Sequence, residues 1–152
     1  MDAFDKHILQ ILQRDCTISV SQIAEQVGLS STPCWRRIQA LEKAGVIIGR
    51  VALANPEKLN VGLTVFVMIK TNQHNPKWLA KFADTIKDIP EIMEFYRLSG
   101  EVDYLLRVVV PDMKAFDSFY KNLISRADFS DISSSFAMEE LKFTTRLPVS
   151  YI

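Results

Sequence analysis

Between Ile18 and Gly28 the chain marks out one short helix with a start signal and a stop signal. Ser19 is followed three positions later by Gln22, the spacing of a capping box, and Ile18 and Ile23 stand at the flanking positions of a hydrophobic staple. The helix is therefore predicted to begin at Ser19. Ile23, Ala24 and Val27 form its inward stripe, and Gly28 places a residue that tolerates positive φ where the helix must stop. Leu29, Ser30 and Ser31 read as a tight turn. Pro33 suits the first turn of the next helix, whose inward stripe is Cys34, Ile38 and Leu41 and whose end is Gly45. Upstream, Phe4, Ile8, Ile11 and Leu12 recur at helical spacing until Asp15 to Thr17 break the pattern. Two short helices joined tightly, with small Ala24 at their crossing, form a helix-turn-helix, a unit that projects its second helix into the major groove of duplex DNA.

The exposed start of that second helix offers Ser31, Thr32, Trp35 and Arg36. Arg36 is the expected base reader, because a guanidinium can bond guanine O6 and N7 together. Ser31, Thr32 and Trp35 could meet phosphates or thymine methyls, and Arg37, nearer the buried stripe, suits a phosphate. The same residues would also fit a plain three-helix bundle with a solvated basic face.

Charge tempers the DNA reading. The chain has 18 basic and 18 acidic residues, and within residues 1–50 six basic side chains (Lys6, Arg14, Arg36, Arg37, Lys43, Arg50) face five acidic ones. DNA binding requires phosphate neutralisation, so so weak a field calls for several heads presented together by an oligomer.

Residues 46–53 are rich in β-branched side chains and suggest a strand, and the segment 55–60, with Pro56, reads as a connector. The expected division is a DNA-binding domain over 1–50, a strand and linker over 51–62, and a second domain over 63–152. In that domain the pattern is strand 64–71, helix 77–87, strand 91–98, strand 104–110, helix 113–125 and strand 132–143. The order βαββαβ is that of an α+β, ferredoxin-like fold. Trp78, Phe82 and Ile86 line one face of its first helix, and Phe116, Tyr120 and Leu123 one face of its second. The strands look apolar on both faces: Val65, Val67 and Ile69 alternate with Phe66 and Met68, and Met93 and Phe95 alternate with Ile92 and Tyr96. A sheet face left bare by the helices is most simply covered by a second copy, so a homodimer is expected.

Gly100-Glu101-Val102-Asp103 falls between two of these strands. A glycine lets backbone N–H groups converge on a carboxylate, and a nearby acid can pair with an ammonium; those are the two handles of a free amino acid. On the residues alone, the favoured reading is a hairpin in which Gly100 serves the turn and Asp103 bonds local backbone.

Other classes find little support. Cys16 and Cys34 lack the spacing of a disulfide framework or a zinc site, so no metal is expected, and Cys34 reads as a small buried hydrophobe. His74 lies in a polar loop and reads as solvated. Glu139 and Glu140, adjacent on an expected strand, would face opposite sides. GxSxG, Walker, HExxH and GxGxxG motifs are absent, so no cofactor and no catalytic residue is expected. A dimeric ferredoxin-like enzyme or a stand-alone metabolite-binding module are the competing readings. No apolar run is long enough for a bilayer and no signal peptide opens the chain, so no membrane partner and a cytoplasmic, nucleoid-associated location are expected.

The segments Val27-Gly28-Leu29-Ser30-Ser31-Thr32-Pro33-Cys34-Trp35-Arg36-Arg37-Ile38, Leu41-Glu42-Lys43-Ala44-Gly45-Val46-Ile47, Ser99 to Val108 and Ser134 to Glu140, with Asp5, Ile8 and Leu9, together resemble the Lrp/AsnC family of feast/famine regulators. The likeness spans essentially the whole chain. It implies a winged helix-turn-helix, a C-terminal regulatory ligand-binding domain, and homodimers assembling into tetramers or octamers on double-stranded DNA near amino-acid metabolism genes. It also implies a small amino-acid effector held at the loop of Gly100, Glu101 and Asp103 where dimers meet, with Ser134, Phe136 and Met138, and also Thr144, as the facing candidates. Within the family the likeness is greatest to the cysteine-responsive members, which makes L-cysteine the first expected effector.

Overall fold

The computed structural model describes all 152 residues. They form two compact units, one of residues 1–53 with 141–152 and one of residues 54–140.

The first unit contains α1 (Ala3–Arg14), α2 (Val20–Val27) and α3 (Ser31–Lys43). Ser19 caps α2 as predicted: its hydroxyl accepts from the Gln22 N–H while the Gln22 side chain accepts from the Ser19 N–H. Gly28 takes φ of 73°, and the Leu29 N–H reaches back to the Ala24 carbonyl at 2.9 Å, closing the helix end. Gly45, at φ of 70°, ends α3 similarly, with Val46 N–H donating to Leu41 O at 2.9 Å. A second capping box, between Asp2 and Asp5, opens α1; the apolar periodicity gave no sign of it. Ile8, Ile23, Ala24, Cys34, Ile38 and Leu41 are buried together. Each buried Ile or Leu contributes about 1.5–3 kcal/mol against about 1 kcal/mol for a cap. Packing therefore holds the three helices, and the caps set where they begin.

The predicted strand over 46–53 does not form; Ile48, Val51 and Leu53 are exposed. β-branched composition favours an extended chain, but a strand also needs a partner, and none within this chain pairs with it. The C-terminal segment 141–152 also departs from the expected boundary, since it belongs to the helical unit. There Gln13 clasps the backbone of Leu147 with two bonds, accepting from its N–H at 2.7 Å and donating to its carbonyl at 3.2 Å, while Val149 packs against the helical core.

The second unit runs β1 (Leu63–Lys70), α4 (Pro76–Ile86), β2 (Ile92–Arg97), β3 (Tyr104–Val110), α5 (Met113–Arg126) and β4 (Asp131–Phe136). The sheet order is β2-β3-β1-β4 with every pair antiparallel, the ferredoxin-like arrangement. Val65, Val67, Ile69, Leu106 and Val108 are fully buried on the face packed by Phe82, Phe116, Phe119 and Leu123. Asn75 and Asp112 cap α4 and α5.

The alternation in β2 differs from the simple period-two reading. A register shift between Ile92 and Glu94 turns both Ile92 and Phe95 toward the core, although they are three residues apart. Met93 is instead 53% exposed, and Glu94 and Tyr96 share the open face. That face is not wholly apolar: beside Phe66, Met68 and Leu105, Arg107 pairs with Glu94 at 2.8 Å and the Tyr96 hydroxyl donates to Glu94 at 2.9 Å. The Arg107 bond holds the Glu94 carboxyl below its ordinary range. β4 stops at Phe136, short of the predicted residue 143, so Glu139 and Glu140 lie beyond the strand and are not set on opposite faces by it.

Candidate nucleic-acid interface and effector site

On α3, Ser31, Thr32, Trp35 and Arg36 are all exposed, opposite the buried stripe of Cys34, Ile38 and Leu41. Spacings of three and four residues put them on one side of the first two turns. Ser31 Oγ donates to Ser21 Oγ of α2 at 3.3 Å, tying the start of α3 to its neighbour. Arg36 has no carboxylate partner, so its guanidinium is free for an outside ligand. Alone of the five helices, α3 has no side-chain cap: Ser30 occupies the cap position without bonding the first turn. The unclaimed N–H groups at that end suit a phosphate oxygen. Ser at a cap position ordinarily signals a bond that Ser30 does not make, so the sequence carries no sign of this open end.

Arg37 is placed differently from the phosphate contact expected of it. Its Nη1 lies 2.8 Å from both Asp2 Oδ2 and Asp5 Oδ1, and its guanidinium carbon is 5.3 Å from the centre of the Phe4 ring. The capping carboxylates of α1 thus double as the anchor for α3. Hydrogen bonds to Asp5 and Asp2 raise the Arg37 pKa further above its ordinary value, and the Asp5 N–H together with Arg37 lowers that of Asp2. Cys34 is fully buried and desolvation pushes its thiol pKa up, which suits a core residue.

The C-terminal candidates fall into two groups. Gly100, at φ of 145°, and Glu101 lie at the tip of the β2–β3 hairpin, where Glu101 is 93% exposed and 3.9 Å from Lys70 Nζ. Asp103 is pinned in place: its N–H donates to Ile69 O, its carbonyl accepts from Leu98 N–H, and Oδ2 accepts from Thr71 N–H at 2.8 Å. One carboxylate oxygen thus bonds backbone, but that of Thr71, 32 positions away, and not the hairpin's own. The other, Oδ1, lies 3.7 Å from Nδ1 of His74, whose side chain is 68% exposed, in keeping with a solvated loop residue.

The second group lies on β4. Ser134 and Phe136 share the helix-packed face with Ile132, and Phe136 meets Phe116 edge-on at 5.1 Å; Met138 is 94% exposed. Register separates the groups. Ile69 pairs with Tyr104 and Ile132 at the hairpin end, whereas Val65 pairs with Val108 and Phe136 four residues away, roughly 13 Å along the strands. With β1 and β3 lying between β2 and β4, one chain does not bring the two groups together.

Residues 1–48 match the winged helix-turn-helix DNA-binding family, and residues 64–147 match the Lrp/AsnC ligand binding domain. The chain belongs to the Lrp/AsnC family. Among Lrp/AsnC proteins it is 49% identical over 150 residues to the DNA-binding transcriptional activator DecR of Escherichia coli K12, covering 98% of this chain and 99% of that one. A crystal structure of an AsnC family transcriptional regulator from Agrobacterium tumefaciens superposes with a TM-score of 0.97 at 55% identity, covering 100% of this chain and 99% of that one. A transcriptional regulator from Neisseria meningitidis solved as an L-Met complex superposes with a TM-score of 0.94 at 36% identity, covering 99% and 98%. This Lrp/AsnC protein is thus a transcriptional regulator with a DNA-binding head and a ligand-binding domain, and the competing enzyme reading falls. No helix is long and apolar enough to cross a membrane.

Proposed function

We propose that the protein binds specific duplex sites through the exposed start of α3 and shifts that binding when a small amino acid occupies its C-terminal domain. The observation that carries the DNA half is the first turn of α3, uncapped, with Ser31, Thr32, Trp35 and an unpaired Arg36 on its open side. Arg36 reads a base edge; Ser31, Thr32 and the free N–H groups grip phosphates. Arg37 acts as a positioning residue that fixes α3 against α1.

For the effector, the hairpin tip supplies N–H groups and a carboxylate, the two partners that an α-carboxylate and an α-ammonium need. A single chain holds the Ser134 to Met138 group apart from that tip, so a site using both draws on two chains, in keeping with an effector held between dimers. The dimer itself is built on the open sheet face around Phe66, Met68 and Leu105. The L-Met bound to the Neisseria relative supports an amino acid as the ligand class, and L-cysteine is the first candidate from the likeness to cysteine-responsive members. An effector moves the equilibrium only by its difference in affinity for two states, so its effect has to appear as a change in assembly or in DNA affinity.

The test is binding of purified protein to fragmented host DNA without amino acid and with millimolar L-cysteine, L-methionine and other amino acids in turn. Discrete peaks that shift with one of them are expected. Peaks unmoved by every amino acid would remove the effector half, and absence of peaks would remove the DNA half.

A further inference from the structure

Residues of α1 and the C-terminal segment line a groove of about 750 Å³ whose charged side chains, Arg14, Lys142 and Arg146, are all positive. None of the three cations has a carboxylate within ion-pairing distance, and all three are exposed. Asp15, next to Arg14 in the chain, is spent on the N–H and hydroxyl of Thr17, at 2.8 and 2.6 Å, and Glu140, two residues before Lys142, makes no ion pair with it. Between Leu141 and Ile152 there is no acidic side chain.

The segment is held, not loose. Gln13 makes its two bonds to the Leu147 backbone, Arg146 N–H donates to Thr144 Oγ1 at 3.1 Å, and Val149 packs against the helical core. Fixing a basic segment in advance lowers the entropy lost when it meets an anion.

We propose that residues 141–149 complete the DNA-binding head, with Lys142 and Arg146, beside Arg14, contacting the phosphate backbone of the duplex. The inference rests on the reading of α3 as the DNA-contacting helix, and it resolves a shortfall in that reading. Residues 1–53 carry six basic and five acidic side chains, and of those six Arg37 and Arg50 are bound internally to Asp2, Asp5 and Glu42. The C-terminal segment, part of the same compact unit, adds two cations and no acid. Phosphate contact is the chemistry that fits: point charges and hydrogen-bonding amides in an open groove bind a backbone without reading bases. The segment should therefore raise affinity equally on all sequences.

The experiment uses the full chain, comparing wild type, Lys142→Gln/Arg146→Gln and the charge-keeping exchange Lys142→Arg/Arg146→Lys on a duplex of arbitrary sequence, across salt concentrations. Each lost phosphate contact lowers the slope of log affinity against log salt by about 1. The glutamine variant is expected to lose about 2 from that slope per head and to bind roughly tenfold more weakly at low salt, and the exchange variant to match wild type. Thermal unfolding and sedimentation of the glutamine variant are expected to stay at wild-type values. An unchanged slope in the glutamine variant overturns the proposal, as does equal loss in the exchange variant, which would mark a structural role. Arg36→Ala, measured on a duplex that wild type selects, serves as the reference: if it weakens binding there while the glutamine variant changes binding to neither duplex, only this inference fails; if neither variant alters binding to either duplex, the reading of α3 fails with it.

Discussion

Arg37 Nη1 on α3 lies 2.8 Å from Asp5 Oδ1 on α1, and 2.8 Å from Asp2 Oδ2, the cap of the same helix. One guanidinium thereby joins the start of the first helix to the DNA-facing one. Arg37→Ala is expected to lower thermal stability and to weaken duplex binding through looser placement of α3, with the salt slope of binding unchanged. A slope reduced by about 1 would instead identify Arg37 as a phosphate contact. The pH dependence has a definite sign. The Asp5 N–H and Arg37 depress the Asp2 carboxyl, so its contribution is present at and above the ordinary carboxylate range and is lost as pH falls through the lowered value. In urea unfolding followed from pH 7 to pH 3, Asp2→Asn should show less acid loss than wild type.

The turn between α2 and α3 depends on Gly28 for its backbone, not for space. Its φ is 73°, and a Cβ added there would meet nothing within 4 Å. Gly28→Ala is therefore expected to cost only the left-handed conformation, about 1–2 kcal/mol, and Gly28→Asn less, read by urea unfolding. A cost well above 3 kcal/mol would mean that neighbours crowd the site.

The two cysteines should react unequally. Cys34 is fully buried with its thiol pKa raised by desolvation, whereas Cys16 is partly exposed. Native protein is expected to expose one titratable thiol per chain to an aromatic disulfide reagent, and denatured protein two. Two rapidly reacting thiols in the native state would place Cys34 outside the core and open it to redox sensing.

The fold was legible where local chemistry and tertiary packing agree. The Ser19–Gln22 box, the Gly28 and Gly45 stops and the inward stripes of α2 and α3 all appear in the structure as the sequence implies. So does the βαββαβ order. Where a feature depends on a distant partner, local reading went astray. The segment 46–53 has strand composition and no strand to pair with, and the bulge at Ile92/Glu94 changes which side chains face the core without any glycine to announce it.

The candidate site divides in the same way. Exposure of Ser31, Thr32, Trp35 and Arg36 follows from helical period, but the capture of Arg37 by Asp2 and Asp5 spans more than 30 positions and leaves no periodic trace. Asp103 stands out in the sequence by its charge, but its backbone partner, Thr71, lies 32 positions away and has no local signal. Clasping of Leu147 by Gln13, 134 positions apart, could not be read from spacing at all.

The most direct test of the central claim is a selection of bound duplexes from a randomised pool, carried out with wild type and with Arg36→Ala. Wild type should enrich a defined sequence, and Arg36→Ala should bind it about 1–3 kcal/mol more weakly with preference relaxed at one base position. If Arg36→Ala keeps the full preference, or loses affinity equally on every sequence, then Arg36 does not read a base and the account of α3 as a sequence-reading helix through this residue is contradicted.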